Sequence, residues 1–180
     1  MKNILLLHSS PRKNGNSNAL AESFMAGAEA AGHKVHRINI GQTDIHPCIA
    51  CEYCRTHNQQ CRFNDAMQDI AAAVLAADCV VMAAPLYFYG LPAQLKVVID
   101  RFYALGPEYP IRGKETALLM TAADTTVSSF DAAVKNYELA LVDYLKWQDR
   151  GIILVPGVYD TEDIQDNPAL DEAYQLGLSI

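Results

Sequence analysis

The sequence contains no cluster of lysine and arginine residues and no excess of positive charge. Its 180 residues carry 14 basic and 21 acidic side chains, so the formal charge is −7 at neutral pH. Nucleic acids are bound mainly by basic side chains that neutralise phosphates, so a nucleic-acid partner is not expected. The same acidity argues against docking on anionic lipid.

Long hydrophobic runs are also missing. The apolar run at residues 4–7 is too short for the core of a secretion signal, and no apolar stretch reaches the length of a membrane span. The sequence therefore predicts a cytoplasmic protein with no membrane partner. In that reducing compartment, closely spaced cysteines are more often metal ligands or free thiols than structural disulfides.

Two familiar phosphate-binding motifs are absent as well. The chain has neither G-x-G-x-x-G, which marks dinucleotide sites, nor G-x-x-x-x-G-K-[ST], which marks nucleoside triphosphate sites. It shows no internal repeat, linker or low-complexity segment. Its length suits one domain with a sizeable core, so residues 1–180 are expected to form a single domain.

Short apolar runs alternate regularly with longer amphipathic segments. The strands are expected at 3–8, 34–40, 79–85, 115–123 and 151–157, and the helices at 16–31, 65–77, 91–105, 128–147 and 167–177. Nearly continuous apolar strands indicate that both sheet faces are covered. With right-handed crossovers, the pattern predicts an α/β fold: a three-layer, doubly wound domain around a five-stranded parallel sheet.

The loop after the first strand, residues 8–20, is rich in polar side chains. Ligands of such sheets bind at the carboxyl ends of the strands, and the free N–H groups at a helix start attract anions. A terminal phosphomonoester suits this loop, although the same residues could simply cap the helix and fill a turn. The polar residues are Ser9, Ser10, Arg12, Asn16, Ser17 and Asn18.

The loop after the third strand presents three aromatic residues, Tyr87, Phe88 and Tyr89, before Gly90. Leaving them in water is unfavourable, so they indicate a flat ligand, a partner surface or a local core beneath the next helix. The loop after the fourth strand, residues 121–126, is small and polar. It leaves room for a ring, although ordinary turn chemistry explains it equally well.

Four of the five cysteines lie in a loop at residues 46–63, with the spacing C-x2-C-x2-C-x6-C. Cys48, Cys51, Cys54 and Cys61 could together hold one four-iron cluster. A zinc site, a thiol pair that cycles with a disulfide, and unligated thiols are the alternatives. Cys79 opens a buried strand and is expected to be a small core residue.

Together these stretches resemble the flavodoxin-like NAD(P)H-dependent FMN reductases, a group that includes the iron–sulfur flavoproteins and multimeric flavodoxins. The resemblance covers essentially the whole chain. Its specific parts are SSPRKNGNS after strand one and PLYFYGLPAQLKVVIDR after strand three, with GVYDTEDIQDNPALDEAYQLG in support. It implies a flavodoxin strand order, 2-1-3-4-5, and bound FMN.

By matching position, the resemblance also implies where FMN is held. The phosphate would contact Ser10, Arg12, Asn16 and Ser17, with Ser9 and Asn18 close by. The ribityl chain and ring would be bordered by Pro85, Leu86, Tyr87, Phe88 and Gly90, and the pyrimidine edge by Thr121, Ala122, Ala123 and Asp124. Members of the group commonly form homodimers or homotetramers with the flavin near a subunit interface, which would give Tyr89 a partner surface.

The function implied is an FMN-dependent NAD(P)H oxidoreductase that passes electrons to a small acceptor such as a quinone, and no catalytic side chain is required. The alternative is an iron–sulfur electron carrier that exchanges electrons with redox proteins through a cluster beside the flavin. A redox sensor based on the cysteine loop is a third possibility. The sequence does not distinguish NADH from NADPH.

Overall fold

The computed structural model describes residues 1–106 and 111–180. Five parallel strands form one sheet in the order β2-β1-β3-β4-β5, as the resemblance implied. The strands are β1 (Asn3–His8), β2 (Lys34–Asn39), β3 (Cys79–Pro85), β4 (Glu115–Thr121) and β5 (Gln148–Val155). β1 pairs with both β2 and β3, so strand order reverses beside β1.

Within the described residues, six α-helices accompany the sheet: α1 (Asn16–Ala30), α2 (Tyr53–Thr56), α3 (Met67–Ala76), α4 (Ala93–Arg101), α5 (Asp131–Tyr137) and α6 (Ala169–Ser179). Short 3-10 turns occupy Ile40–Gln42, Phe102–Leu105 and Val127–Phe130. Among the described residues, no helix combines the length and the apolar character needed to cross a bilayer.

The core lies in two layers because successive strand residues point to opposite faces. Leu5, Val80 and Leu118 pack on one face against residues of α3, α4 and α5. Ile4 and Val81 pack on the other face with residues of α1 and α6. The predicted three-layer α/β architecture is therefore confirmed.

The long helix predicted at 128–147 is divided in the structure. After α5, residues Glu138–Tyr144 form a π-helix. The buried side chains Ala133, Tyr137, Leu141 and Leu145 recur every four residues. An α-helix of 3.6 residues per turn would rotate this row away from the sheet, and wider turns keep it facing the core.

The fifth strand begins three residues earlier than predicted. Its polar start pairs Gln148 with Glu115 and Asp149 with Thr116, ahead of a register shift in β4. β5 is an edge strand, and the Asp149 carboxylate accepts a hydrogen bond from the Tyr137 hydroxyl. An edge strand tolerates such polar residues, which the apolar pattern could not detect.

Helices α1 and α6 touch at the backbone. A Cβ placed on Gly27 would overlap the Tyr174 carbonyl, and one on Gly177 would overlap the Phe24 carbonyl. Both glycines have ordinary helical conformations, so their role is close approach and not backbone freedom. This contact fixes α1, whose first turn follows the polar loop, against the sheet.

We expect Gly177→Ala to destabilise the protein by about 1–3 kcal/mol, because the added methyl overpacks this contact. The higher helix propensity of alanine acts in the opposite direction. Urea unfolding of the apo protein measures the difference, with the exposed Gln175→Ala as a control that should change little. An equal or higher stability for Gly177→Ala would contradict the close contact.

Candidate functional site

The first turn of α1 has no side-chain cap. Gly15 occupies the N-cap position in an extended conformation, and no side chain accepts a hydrogen bond from the N–H groups of the turn. The first N–H groups of a helix lack partners within the helix. The capping part of the alternative interpretation is therefore wrong, although Asn18 does help to form the turn, and the N–H groups of the first helical turn are available to an anion.

Asn18 holds the polar loop in shape. Its amide nitrogen donates to the carbonyl oxygens of Arg12 (2.8 Å) and Lys13 (3.4 Å). The side-chain oxygen of Asn18 lies 3.0 Å from Nδ1 of His8. Because an amide oxygen can only accept a hydrogen bond, Nδ1 of His8 is the donor. Burial lowers the pKa of His8, so the imidazole is neutral and packed.

The carboxyl edge of the sheet carries an open cleft of about 580 Å³, counting the space at its mouth. The loops after β1, β3, β4 and β5 all contribute to its walls. The Leu86 N–H donates to the Thr121 carbonyl (2.7 Å), which joins two of these loops. The lining residues are Ser10, Arg12, Gly15, Asn16, Ser17, Pro85, Leu86, Tyr87, Thr121, Ala122, Ala123, Val158 and Tyr159.

The structure thus brings together most of the residues singled out from the sequence. Six of the predicted positions do not line the cleft: Ser9, Asn18, Phe88, Tyr89, Gly90 and Asp124. Ser9 is fully buried, and its hydroxyl donates to the Ala83 carbonyl. The Asp124 carboxylate accepts from the Thr126 N–H and shapes its own turn.

Val158 and Tyr159, after β5, were not predicted to line the site. The Val158 N–H donates to the Ala122 carbonyl (2.9 Å), so this segment is fixed to the loop after β4. The guanidinium of Arg12 donates to the Tyr159 carbonyl (2.6 Å) and lies 5.4 Å from the centre of its ring. The stretch beginning GVYD was noted in the sequence, but the contact arises only from the folded chain.

The three aromatic residues form a tight turn. Tyr87 and Gly90 exchange two backbone hydrogen bonds, and Phe88 and Tyr89 both have positive φ angles of 46° and 61°. This is the pattern of a type I′ turn, which favours asparagine and glycine. Phe88 is fully exposed, so the interpretation of these rings as a local core beneath the helix is wrong.

The cysteine loop encloses a second, much narrower cavity, whose free interior space is only about 20 Å³. All four loop cysteines line it, together with Arg62, Phe63, Arg101, Tyr103 and other residues of the loop. Burial and, more weakly, the thiols of Cys61 and Cys48 raise the pKa of Cys54. Among the described residues, however, no group of three or more histidine, cysteine or acidic side chains is arranged to hold a metal ion.

The backbone of the loop is strained between its cysteines. Ala50, Glu52, Asn58 and Gln59 all have positive φ angles, between 48° and 62°. Each costs about 1–2 kcal/mol relative to an ordinary conformation. Strain of this kind is often kept at functional sites, and here it winds the chain tightly enough to direct several thiols to one cavity.

The remaining cysteine and the loop histidines lie outside this cavity. Cys79 is buried in β3, and burial raises the pKa of its thiol to about 12, which confirms its expected place in the core. His57 is exposed and stacks on Tyr53, and His46 stacks on Phe63. Neither histidine lines the cavity beside the cysteines.

The cleft and the cysteine cavity share no lining residue. The cleft is formed in part by the segment that precedes α4. The cavity contacts Arg101, the last residue of α4, and the turn that follows it. The position of a cluster beside the flavin, expected from the sequence, stays a prediction.

A family model described as NADPH-dependent FMN reductase matches residues 2–142, which include the polar loop, the aromatic turn and the cysteine loop. The chain belongs to this family. The family resemblance is thereby confirmed, and the protein is an NAD(P)H-dependent oxidoreductase that uses FMN.

Relatives of two kinds match the chain. An iron-sulfur flavoprotein of Archaeoglobus fulgidus is 26% identical over 95% of this chain and 75% of its own length. An FMN-dependent NADH:quinone oxidoreductase of Opitutus terrae is 30% identical over 63% of this chain and 58% of its own. With several other curated relatives, the match spans only about half of their length, for example 57% and 48%.

The fold of this family member also matches solved structures. An NAD(P)H:quinone oxidoreductase from Methanothermobacter marburgensis superimposes with a TM-score of 0.76 at 19% identity, over 99% of this chain and 96% of that one. At this identity, the match supports the flavodoxin-like architecture alone.

We expect the double substitution Phe88→Asn with Tyr89→Gly to stabilise the apo protein by about 1–2 kcal/mol, because both new residues accept positive φ angles. Urea unfolding measures the change. The matched control is Phe88→Ala with Tyr89→Ala, which removes the rings but keeps the backbone cost. If the Asn-Gly variant were no more stable than this control, the turn would not be strained.

Proposed function

We propose that the cleft binds FMN and that the protein transfers electrons from NAD(P)H through this FMN to a small acceptor such as a quinone. The observation that carries the proposal is the uncapped first turn of α1, which opens into a cleft formed by four loops. When bound, FMN accepts a hydride from the nicotinamide and passes the electrons onward.

The phosphate end of the cofactor fits the polar loop. Ser10 and Ser17 line the cleft beside the N-terminus of α1, and Arg12 retains N–H donors besides the one given to Tyr159. A Cβ on Gly15 would lie 2.6 Å from Oγ of Ser10, so only glycine leaves this space open. We assign the FMN phosphate to this turn, with Asn16 close by.

The ribityl chain and ring fit the rest of the cleft. The Asn16 side chain donates to the Asp160 carbonyl, which leaves its oxygen buried with no partner among the described residues. A buried acceptor of this kind suits a sugar hydroxyl better than a phosphate oxygen. The ring would then contact Pro85, Leu86 and Tyr87 on one side, and Thr121, Ala122 and Ala123 at its polar edge.

The proposal assigns no catalytic side chain to the reaction. The protein's part is to position the two rings and exclude water, and the small residues after β4 leave room for this. His8 does not line the cleft, and its Nδ1 atom is already hydrogen-bonded to Asn18 of the polar loop. Its role is to hold the polar loop.

The exposed aromatic turn supports the expectation of a homodimer or homotetramer. Phe88 and Tyr89 are largely exposed although their conformations are costly. A second subunit that covered these rings would offset this cost and bring Tyr89 and Gly90 close to the flavin. A cytoplasmic setting belongs to the same proposal, because all five cysteines are free.

We expect Ser17→Ala to weaken FMN binding by about 10- to 100-fold, since a hydrogen bond to a charged group contributes roughly 1.5–3 kcal/mol. Fluorescence titration of the apo protein with FMN measures the dissociation constant, and bleaching of the yellow protein by NADH or NADPH identifies the donor. The exposed Ser128→Ala is the control. Wild-type protein that takes up no FMN would refute the proposal.

The cysteine cavity favours a second candidate function, that of an iron–sulfur electron carrier. Four thiols line one cavity and the backbone between them is strained, although the thiols do not close on a single point. A four-iron cluster is bound by four cysteine thiolates around it, so the donor set fits. We propose that Cys48, Cys51, Cys54 and Cys61 hold such a cluster, which would exchange electrons with a redox protein.

Anaerobic reconstitution with iron and sulfide tests this candidate. We expect about four iron atoms per chain and a broad absorption beyond the flavin bands. Cys51→Ser should lose most of this iron, whereas the buried Cys79→Ser should retain its iron if it folds. Binding of zinc in place of iron, or a thiol–disulfide change that alters the oligomer, would instead favour the zinc site or the redox sensor.

A further inference from the structure

The wall of the cysteine cavity contains a buried cation. Arg101, whose side chain is 1% exposed, lies at the end of α4 and lines the cavity with the four cysteines. Its guanidinium donates to both carboxylate oxygens of Asp65, at 2.8 and 3.2 Å. It also donates to the His46 carbonyl at 2.7 Å.

This ion pair closes the cysteine loop at both ends. His46 precedes the first loop cysteine by two residues, and Asp65 follows the last by four. The Asp65 carboxylate also accepts from the His46 N–H at 3.0 Å. Burial would raise the pKa of Asp65, but hydrogen bonds from Arg101 and from backbone N–H groups outweigh it and lower this pKa, so the pair remains charged.

One donor of Arg101 is unused. Its Nε is buried and has no hydrogen-bond partner among the described residues. A buried polar group without a partner costs about 1–3 kcal/mol, and more when it is charged. Burial would lower the pKa of Arg101, but Asp65 and, more weakly, Cys61 and Cys48 raise it, so the guanidinium stays charged at the wall of the cavity that it lines with these cysteines.

Holding the two ends of the loop together would not require Arg101 to line the cysteine cavity. The contacts to Asp65 and His46 use the two terminal nitrogens and leave Nε without a role in holding the loop. The lining of the cavity thus combines four cysteines with a buried cation that has one unused N–H donor among the described residues. Hydrogen bonds to cluster sulfurs and the local net charge are among the main determinants of cluster potential.

We propose that Arg101 is a positioning residue for an iron–sulfur cluster on the four loop cysteines, and that its buried guanidinium raises the reduction potential of this cluster. The inference rests on the proposed cluster site. Reduction adds negative charge to the cluster, and a nearby cation with an N–H donor stabilises that charge. The same group stabilises the four thiolates in the loaded protein.

The test compares the midpoint potentials of reconstituted wild-type, Arg101→Lys and Arg55→Gln proteins in redox titrations followed by EPR. Lysine keeps a charge that can pair with Asp65 but lacks Nε. At the potential at which half of the wild-type cluster is reduced, we expect the ratio of reduced to oxidised cluster in Arg101→Lys to be about tenfold lower than in the wild type. Arg55→Gln removes an exposed cation of the same loop and should leave the midpoint unchanged.

A second variant is included in case Arg101→Lys fails to fold because the ion pair with Asp65 is disturbed. Asp65→Asn with Arg101→Gln removes both charges together and keeps hydrogen-bonding groups at the loop ends. We expect it to bind iron with a lower midpoint potential than the wild type. Its urea unfolding, compared with the wild type, separates any loss of stability from the shift in potential.

The outcomes distinguish the inference from the proposed site. If the wild type reconstitutes a cluster and both Arg101 variants keep its midpoint potential, the role of Arg101 is overturned and the cluster site stands. If the wild type binds no iron under anaerobic conditions, the cluster site and the role of Arg101 both fail. FMN binding in the cleft is unaffected by either result.

Discussion

Burial of both faces of the parallel sheet is the constraint on which the rest of this structure depends. The central strands β1, β3 and β4 are apolar on both sides, so helices must cover each face and each crossover must return to the same edge. The carboxyl ends of the strands therefore gather their loops at one rim. Polar and aromatic residues far apart in sequence meet there because the strands that precede them are buried.

This geometry explains why an uncapped helix is stable at the rim. The first turn of α1 forgoes a side-chain cap, yet α1 is held by the backbone contact with α6 at Gly27 and Gly177. Asn18 and His8 hold the loop that leads into it. The scaffold thus supports a turn whose N–H groups remain available to an anion, and the nearby strained turn at Phe88 and Tyr89 presents exposed rings next to it.

The cysteine loop is held in place by different contacts from those that hold the polar loop. It belongs to no layer of the core, and the buried pair of Arg101 and Asp65 fixes its two ends against α4 and the start of α3. Within those ends, left-handed residues wind the chain around one cavity. The cleft and the cysteine cavity are distinct: the segment before α4 contributes to the cleft, and Arg101 at the end of α4 contributes to the cavity.

The sequence by itself determined the layers of the fold and the edge of the sheet at which the cleft lies. Its apolar runs located β1 and β3 to the residue, and the polar loop at 8–20 pointed to the cleft. Periodicity could not reveal the π-helix at 138–144 or the polar start of β5, since tertiary packing sets both. Only the tertiary structure brought Tyr159 to Arg12, turned Asn18 inward and placed Arg101 among the cysteines. These contacts join segments that are distant in sequence. Local residue preferences depend only on neighbouring residues, so they do not predict which distant side chains will come into contact.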